Sequence, residues 1–363
     1  MARPTIWPLD PHTAAKHAIL RKYLNAWLPK LTKYNGRVII CDGFAGPGIY
    51  SKGEEGSPVI ALNAFLEHSH RAKMNAEVRY IFIESDPKRC ESLGQVVAEI
   101  KLPESVDITI INDEYEQAYG EILDYLDEKD SRMAPTFAFI DPFGISGVPL
   151  EIIDRLMAHR GCEVLITFML SYLHRFIKTA EFEPHCSRLF GCEDWRAAKE
   201  MAGPDREMFL RSLYQRQLED TEHGVGAEFV RFFTMKDTKN KTIYDLFFAT
   251  NHESGIDSMK DAMWNVDQTG AYSFSDATDP DQETFFSNEP DWDQLFDILG
   301  AKYAGETQPW PDIEEAIRRT PFRIRKRPFQ TEPKKTDARF EIINPPGTRR
   351  GTLDSGTLVR FPN

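Results

Sequence analysis

Four acidic residues stand where an apolar run gives way to a turn: Asp42 after Val38-Ile39-Ile40-Cys41, Glu84 after Val78–Ile83, Asp113 after Val106–Asn112, and Asp141 after Thr136–Ile140. Short, continuous apolar runs mark the buried strands of parallel sheets, and the ligands of such sheets bind beyond the carboxyl ends of the strands. Asp42 leads at once into a turn holding Gly43, Phe44, Ala45, Gly46 and Gly48, the composition of a cofactor loop. A carboxylate at Glu84, or at Asp86 as second choice, accepts the hydroxyl protons of a ribose. One at Asp113 suits an adenine amino group. Three acids at successive strand ends therefore describe a site for a nucleotide-type cofactor.

The glycine spacing narrows the cofactor. A dinucleotide fingerprint needs a third glycine three residues after the second, so that the next helix closes on a pyrophosphate. Counted from Gly46 and Gly48, that place is Ser51. The D-x-F-A-G-x-G pattern instead resembles motif I of class I S-adenosylmethionine methyltransferases, in the Phe-Ala variant common among those acting on nucleic acids. Ser57-Pro58 then predicts a helix start, with Ser57 as cap. Free N–H groups there would meet a carboxylate such as that of the methionine moiety.

Asp141-Pro142-Phe143-Gly144 is the second informative stretch. It resembles the (N/D)-P-P-(Y/F) motif of methyltransferases that modify exocyclic amino groups of bases, in the D-P-F-G form of tRNA guanine-N2 dimethyltransferases. An exocyclic amine is a poor nucleophile, because its lone pair is delocalised into the ring. The Asp141 side chain and the Pro142 carbonyl are placed to accept its hydrogens, and Phe143 to stack on the base, an interaction worth about 1–3 kcal/mol.

Elements that position these groups follow in order. Thr13 to Leu31 shows helical periodicity and carries Lys16 and His17 toward the site as substrate-binding candidates. A helix over 150–159 and a strand over 163–169 extend the βα series, and a helical insertion over about 171–225 contributes Arg175. Strands over 229–235 and 242–250 form a hairpin, and a helix over 255–266 leads to an acidic linker, Asp276–Gln282. The expected fold is α/β, a Rossmann-like, seven-stranded, mostly parallel sheet spanning residues 1–275. A small winged-helix-like module over 283–363 follows, with helices at 292–303 and 312–319 and strands at 339–343 and 357–361.

Charge separates the two parts. The chain of 363 residues has a net charge of −13. From Arg318 onward twelve basic residues face four acidic ones, so this tail is +8 and the remainder −21. A basic module on an acidic body is the footprint of a local nucleic-acid contact, with Arg325, Arg349 and Arg350 as candidate contacts. No window approaches the roughly 18 apolar residues of a membrane span, and the N-terminus lacks a signal peptide's apolar core, so a cytoplasmic protein is expected. The five cysteines are odd in number and without a C-x-x-C pair, which predicts reduced thiols and no metal.

Several stretches together resemble the three-Cys-motif partner proteins: Ala15–Leu24, the DGFAGPGIY run with Glu55-Gly56-Ser57-Pro58, FIDPFG, Phe247–His252, Met259–Trp264 and Arg350–Phe361. The resemblance covers nearly the whole chain. It implies S-adenosylmethionine as cofactor, methyltransferase activity and a cysteine-motif partner protein encoded nearby. The leading expectation is transfer to an amino group of a nucleic-acid base, in RNA or DNA. The alternatives are a small-molecule or protein methyltransferase, and a non-catalytic cofactor- or DNA-binding subunit.

Overall fold

The computed structural model describes residues 4–268, 271–277 and 290–362. Met1–Val266 with Ser273–Gln282 group into one compact unit, and Asp267–Tyr272 with Glu283–Asn363 into another. Most of the acidic linker expected at Asp276–Gln282 lies outside the described residues. No helix among the described residues is long and apolar enough to cross a membrane.

The first unit alternates helix and strand: α1 (Pro11–Tyr34), β1 (Arg37–Asp42), α2 (Ser57–Leu66), β2 (Glu77–Ile83), α3 (Pro87–Ala98), β3 (Val106–Ile111), α4 (Tyr115–Glu128), β4 (Thr136–Ile140), α5 (Leu150–Met157) and β5 (Glu163–Phe168). Helices α6 (Leu170–Phe176), α7 (Glu183–Phe190) and α8 (Gly203–Glu219) form the expected insertion as three pieces. Strands β6 (Phe229–Lys236) and β7 (Thr242–Thr250), helix α9 (Glu253–Trp264) and the short strand β8 (Ser273–Ser275) complete it.

The strands form one sheet in the order β3-β2-β1-β4-β5-β7-β6-β8. β1 to β5 are parallel, β7 runs antiparallel to both β5 and β6, and β8 joins β6 in parallel. This is the class I methyltransferase order with one strand more than the seven expected. The three residues of β8 are too few to register as a sequence period, and only pairing with Thr234–Lys236 makes them a strand. Alternate residues of β4 serve opposite faces. Phe137 packs on Tyr23 and Trp27 of α1, while Ala138 and Ile140 join the apolar core that α4 to α8 cover. Helix α1 begins two residues before the expected Thr13, because Pro11 occupies its first turn, where a missing N–H costs nothing.

The second unit runs α10 (Trp292–Lys302), β9 (Thr307–Pro309), α11 (Trp310–Arg318), α12 (Lys326–Thr331), β10 (Glu341–Ile343) and β11 (Leu358–Arg360). Its sheet order is β10-β11-β9, all antiparallel. Strand β9 was not legible in the sequence. Phe296, Trp310, Phe329, Phe340 and Phe361 build an aromatic core of this unit's own.

Candidate active site

The glycine loop is held from three sides. The Gly43 N–H donates to the Phe139 carbonyl of β4 and the Ala45 N–H to the Ile83 carbonyl of β2, each at 2.9 Å. The Gly46 N–H donates to Glu84 Oε2 at 2.9 Å. Gly46 and Gly48 have φ of +64° and +84°, a region costly to any residue with a Cβ. The Gly48 carbonyl then accepts from the Gly56 N–H at 2.8 Å, which closes the loop against the start of α2. Gly56, not Ser57, precedes that helix as its cap residue, and Ser57 is its first helical residue.

Asp42 lies beneath the loop and lines neither cavity described below. Its Oδ1 accepts from the Phe44 N–H at 3.2 Å, and its Oδ2 is buried with no geometric hydrogen-bond partner among the described residues. Burial pushes this carboxyl up to about 7, opposed only in part by the nearby Ser57 hydroxyl and the Phe44 N–H.

Two cavities adjoin at the carboxyl ends of the central strands, sharing Phe44, Pro142 and Phe143 in their walls. One, of about 280 Å³, is lined by Gly43, Glu84 and Asp113 among others. Glu84 also braces the backbone on both sides, since its Oε1 accepts from the Asp86 N–H at 2.8 Å while its Oε2 holds the loop. Asp86 is not on a cavity wall. Its Oδ1 caps α3 through the N–H groups of Lys88 and Arg89, at 2.9 and 3.1 Å. A cap there is an ordinary role for an aspartate before a proline-led helix.

The other cavity, of about 400 Å³, is lined by Lys16, Ala45, Gly46, Gly48, Ser57 and Asp141, among others. Lys16 Nζ donates to Asp141 Oδ2 and Thr167 Oγ1 to Asp141 Oδ1, both at 2.5 Å. A carboxylate offers about four acceptor positions, so two remain for incoming N–H groups. Lys16 also lies 5.1 Å from the Tyr244 ring centre and 5.9 Å from that of Phe139, which fixes its long side chain. Phe143 is 42 % exposed, with its ring edge-on to Trp7 at 5.7 Å. Gly144 does not have a positive φ, and a Cβ there would sit in ordinary contact with Tyr172. Turn geometry therefore does not demand its glycine.

The other expected contacts fall elsewhere. His17 is packed behind Lys16, 5.7 Å from the Tyr50 ring, and is not on a cavity wall. Burial and the Lys16 charge lower its imidazole to about 3, so the ring is neutral. Arg175 is exposed on α6, 5.8 Å from the Phe176 ring, and lines neither cavity. Arg325, Arg349 and Arg350 are exposed on the second unit.

Wall residues without a sequence signal of their own include Trp7, Arg89 and Tyr244. Thr167 left a trace, as the one hydroxyl in the otherwise apolar run Val164–Phe168.

S-adenosylmethionine presents ribose hydroxyls, an adenine amino group, a carboxylate and an ammonium. Glu84 and Asp113 in one cavity and the N-terminal turn of α2 at Ser57 in the other match the hydroxyls, the amino group and the carboxylate in kind. The volumes are those of small-ligand sites. Among solved structures the chain is similar to Trm1 from Pyrococcus horikoshii in complex with S-adenosyl-L-methionine, at 14 % identity over 74 % of this chain and 67 % of that one, with a TM-score of 0.34. It is also similar to cofactor-bound Rv0187 from MTB, at 12 % identity over 68 % of this chain and 92 % of that one, with a TM-score of 0.29. No protein-family model and no curated protein matches the sequence. The functional reading therefore rests on the site itself.

Proposed function

We propose that the protein is an S-adenosylmethionine-dependent methyltransferase acting on an exocyclic amino group of a nucleic-acid base. One observation carries this: Asp141, clamped by Lys16 and Thr167, stands on a cavity wall beside a second cavity lined by Glu84 and Asp113, with Pro142 and Phe143 facing both. When bound, the cofactor supplies a methyl group on a sulfonium, a good leaving group. The chain itself contributes alignment. Asp141 and the Pro142 carbonyl hold the amine hydrogens, Phe143 stacks on the base, and Glu84 with Asp113 orient the ribose and adenine. Labelled-methyl transfer to total tRNA, rRNA and DNA, followed by nucleoside analysis, tests the reading. Label in an amino group of one base is expected; no incorporation, with or without a cysteine-motif partner protein, overturns it.

The second unit is the proposed nucleic-acid contact. Helix, strand, two helices and a hairpin, with β9 pairing β11, is the order of a winged helix. Exposed Arg327, Arg349 and Arg350 sit on α12 and on the loop between β10 and β11. Lys326 Nζ donates to the Leu353 carbonyl at 2.5 Å and Gln330 Nε2 to the Gly351 carbonyl at 2.9 Å, so the two segments form one basic edge. The six residues of α12 are short for a helix that reads a groove, so contact with phosphates is its proposed mode. Deleting residues 283–363 is expected to remove nucleic-acid binding, and retained binding would refute this role.

A further inference from the structure

Arg89, in the first turn of α3, carries a charge that the proposed chemistry does not use. It lines the same 280 Å³ cavity as Glu84, Asp113 and Phe143, and is only 8 % exposed. Its guanidinium lies 5.0 Å from the Trp7 ring centre and 5.7 Å from that of Phe143. Among the described residues no carboxylate pairs with it, its Nε is buried without a partner, and the hydrogen bond it gives Asp86 comes from its backbone N–H, not from the guanidinium. Glu84, Asp113 and Glu114 line the cavity, yet none forms an ion pair with it.

Arginine stays charged at any working pH and presents five donors in a planar fork. A buried charge left unpaired is costly, and aromatic faces repay only part of that cost. An anion entering the cavity would pair with that charge. From this we infer that Arg89 is a phosphate-binding residue for the substrate, holding the phosphate of the nucleotide whose base stacks on Phe143. The inference rests on the proposed function, in which Glu84 and Asp113 take the ribose and adenine of the cofactor and the start of α2 takes its carboxylate. The anion beside Phe143 is then the substrate's, which requires a phosphorylated substrate rather than a bare amine.

The full chain, saturated with S-adenosylhomocysteine, is titrated calorimetrically with the four nucleoside 5′-monophosphates, the matching nucleosides and inorganic phosphate. At least one monophosphate is expected to bind roughly tenfold to a hundredfold tighter than its nucleoside, the range of a hydrogen bond to a charged group. Arg89→Met should erase that difference while leaving S-adenosylhomocysteine affinity within about twofold, and Arg89→Lys should keep part of it. Nucleoside and nucleotide binding equally, or a difference that survives Arg89→Met, overturns the inference while the base reading stands. If Arg89→Met weakens S-adenosylhomocysteine but not decarboxylated S-adenosylmethionine, the anion is the cofactor's carboxylate and the inference falls. Inorganic phosphate binding that Arg89→Met removes, with no nucleoside or nucleotide bound, marks a site for free phosphate and overturns both the inference and the base reading. Binding of none of the probes overturns both.

Discussion

Helix α1 meets two acids of the central sheet with the same face and leaves them in different surroundings. Lys16 reaches Asp141, just beyond β4, and Tyr23, two helical turns later, reaches Glu163 at the start of β5. A threonine hydroxyl completes each group: Thr167 on Asp141 and Thr250 on Glu163. The plan is shared, but the partner's charge and the surroundings differ. Asp141 is paired with a cation and its side chain is 24 % exposed on a cavity wall. Glu163 is 6 % exposed and accepts from two neutral hydroxyls, at 2.5 Å from Tyr23 and 2.6 Å from Thr250. Burial raises its carboxyl above the usual range, against the pull of those hydroxyls, and drives the Tyr23 phenol well up. A carboxylate with a cation and open acceptor positions is equipped to hold a substrate. One held by two neutral hydroxyls, though it borders a separate cavity, ties a helix to a sheet.

The widest separation between the two acids should come from removing each. Asp141→Ala is expected to lower methyl transfer at least roughly a hundredfold with S-adenosylhomocysteine affinity of the folded protein nearly unchanged, and to lower the melting temperature because the buried Lys16 ammonium loses its partner. Asp113→Ala should instead weaken cofactor affinity first, and equal loss of affinity in both variants would break the division between the cavities. Glu163→Ala is expected to cost about 3 kcal/mol in denaturant unfolding, because it strands the Tyr23 and Thr250 hydroxyls, while the folded fraction binds S-adenosylhomocysteine normally. If Glu163→Ala proves as stable as the parent, the buried acid is not a tie.

Smaller effects sharpen the same contrast. Thr167→Val keeps shape but removes one of the two donors that orient Asp141, so kcat should fall about tenfold with stability within about 1 kcal/mol. Asp42 supplies the pH-dependent case. Its folded value of about 7 lies above its ordinary value of 3.8, so its contribution to stability is full below about pH 4 and is lost as pH rises through about 7. Asp42→Asn should flatten that part of the stability profile, measured by chemical denaturation at pH 4, 5.5 and 7.5. An unchanged slope would mean that the carboxyl is not held in its protonated form.

Much of this arrangement was legible in the linear chain because it is local. Apolar runs ending in Asp42, Glu84 and Asp141 mark strand ends, and a strand end in a parallel sheet is already a place in space. The glycines at 46 and 48 announce a backbone that other residues adopt only at a cost. Helix and strand periods likewise defined α1, the βα series and the closing hairpin.

What the sequence alone determined was therefore a sheet with a row of acids along one edge, and a basic C-terminal unit. Tertiary structure decided which acids face a cavity. Asp42 and Asp86 turned inward to brace the loop and cap α3, while Glu84, Asp113 and Asp141 remained on the walls. It also brought Lys16 and Thr167 together on one carboxylate and set Arg89 between Trp7 and Phe143. Those partners lie tens of residues apart, and a side chain's charge state and neighbours depend on packing that no local period encodes.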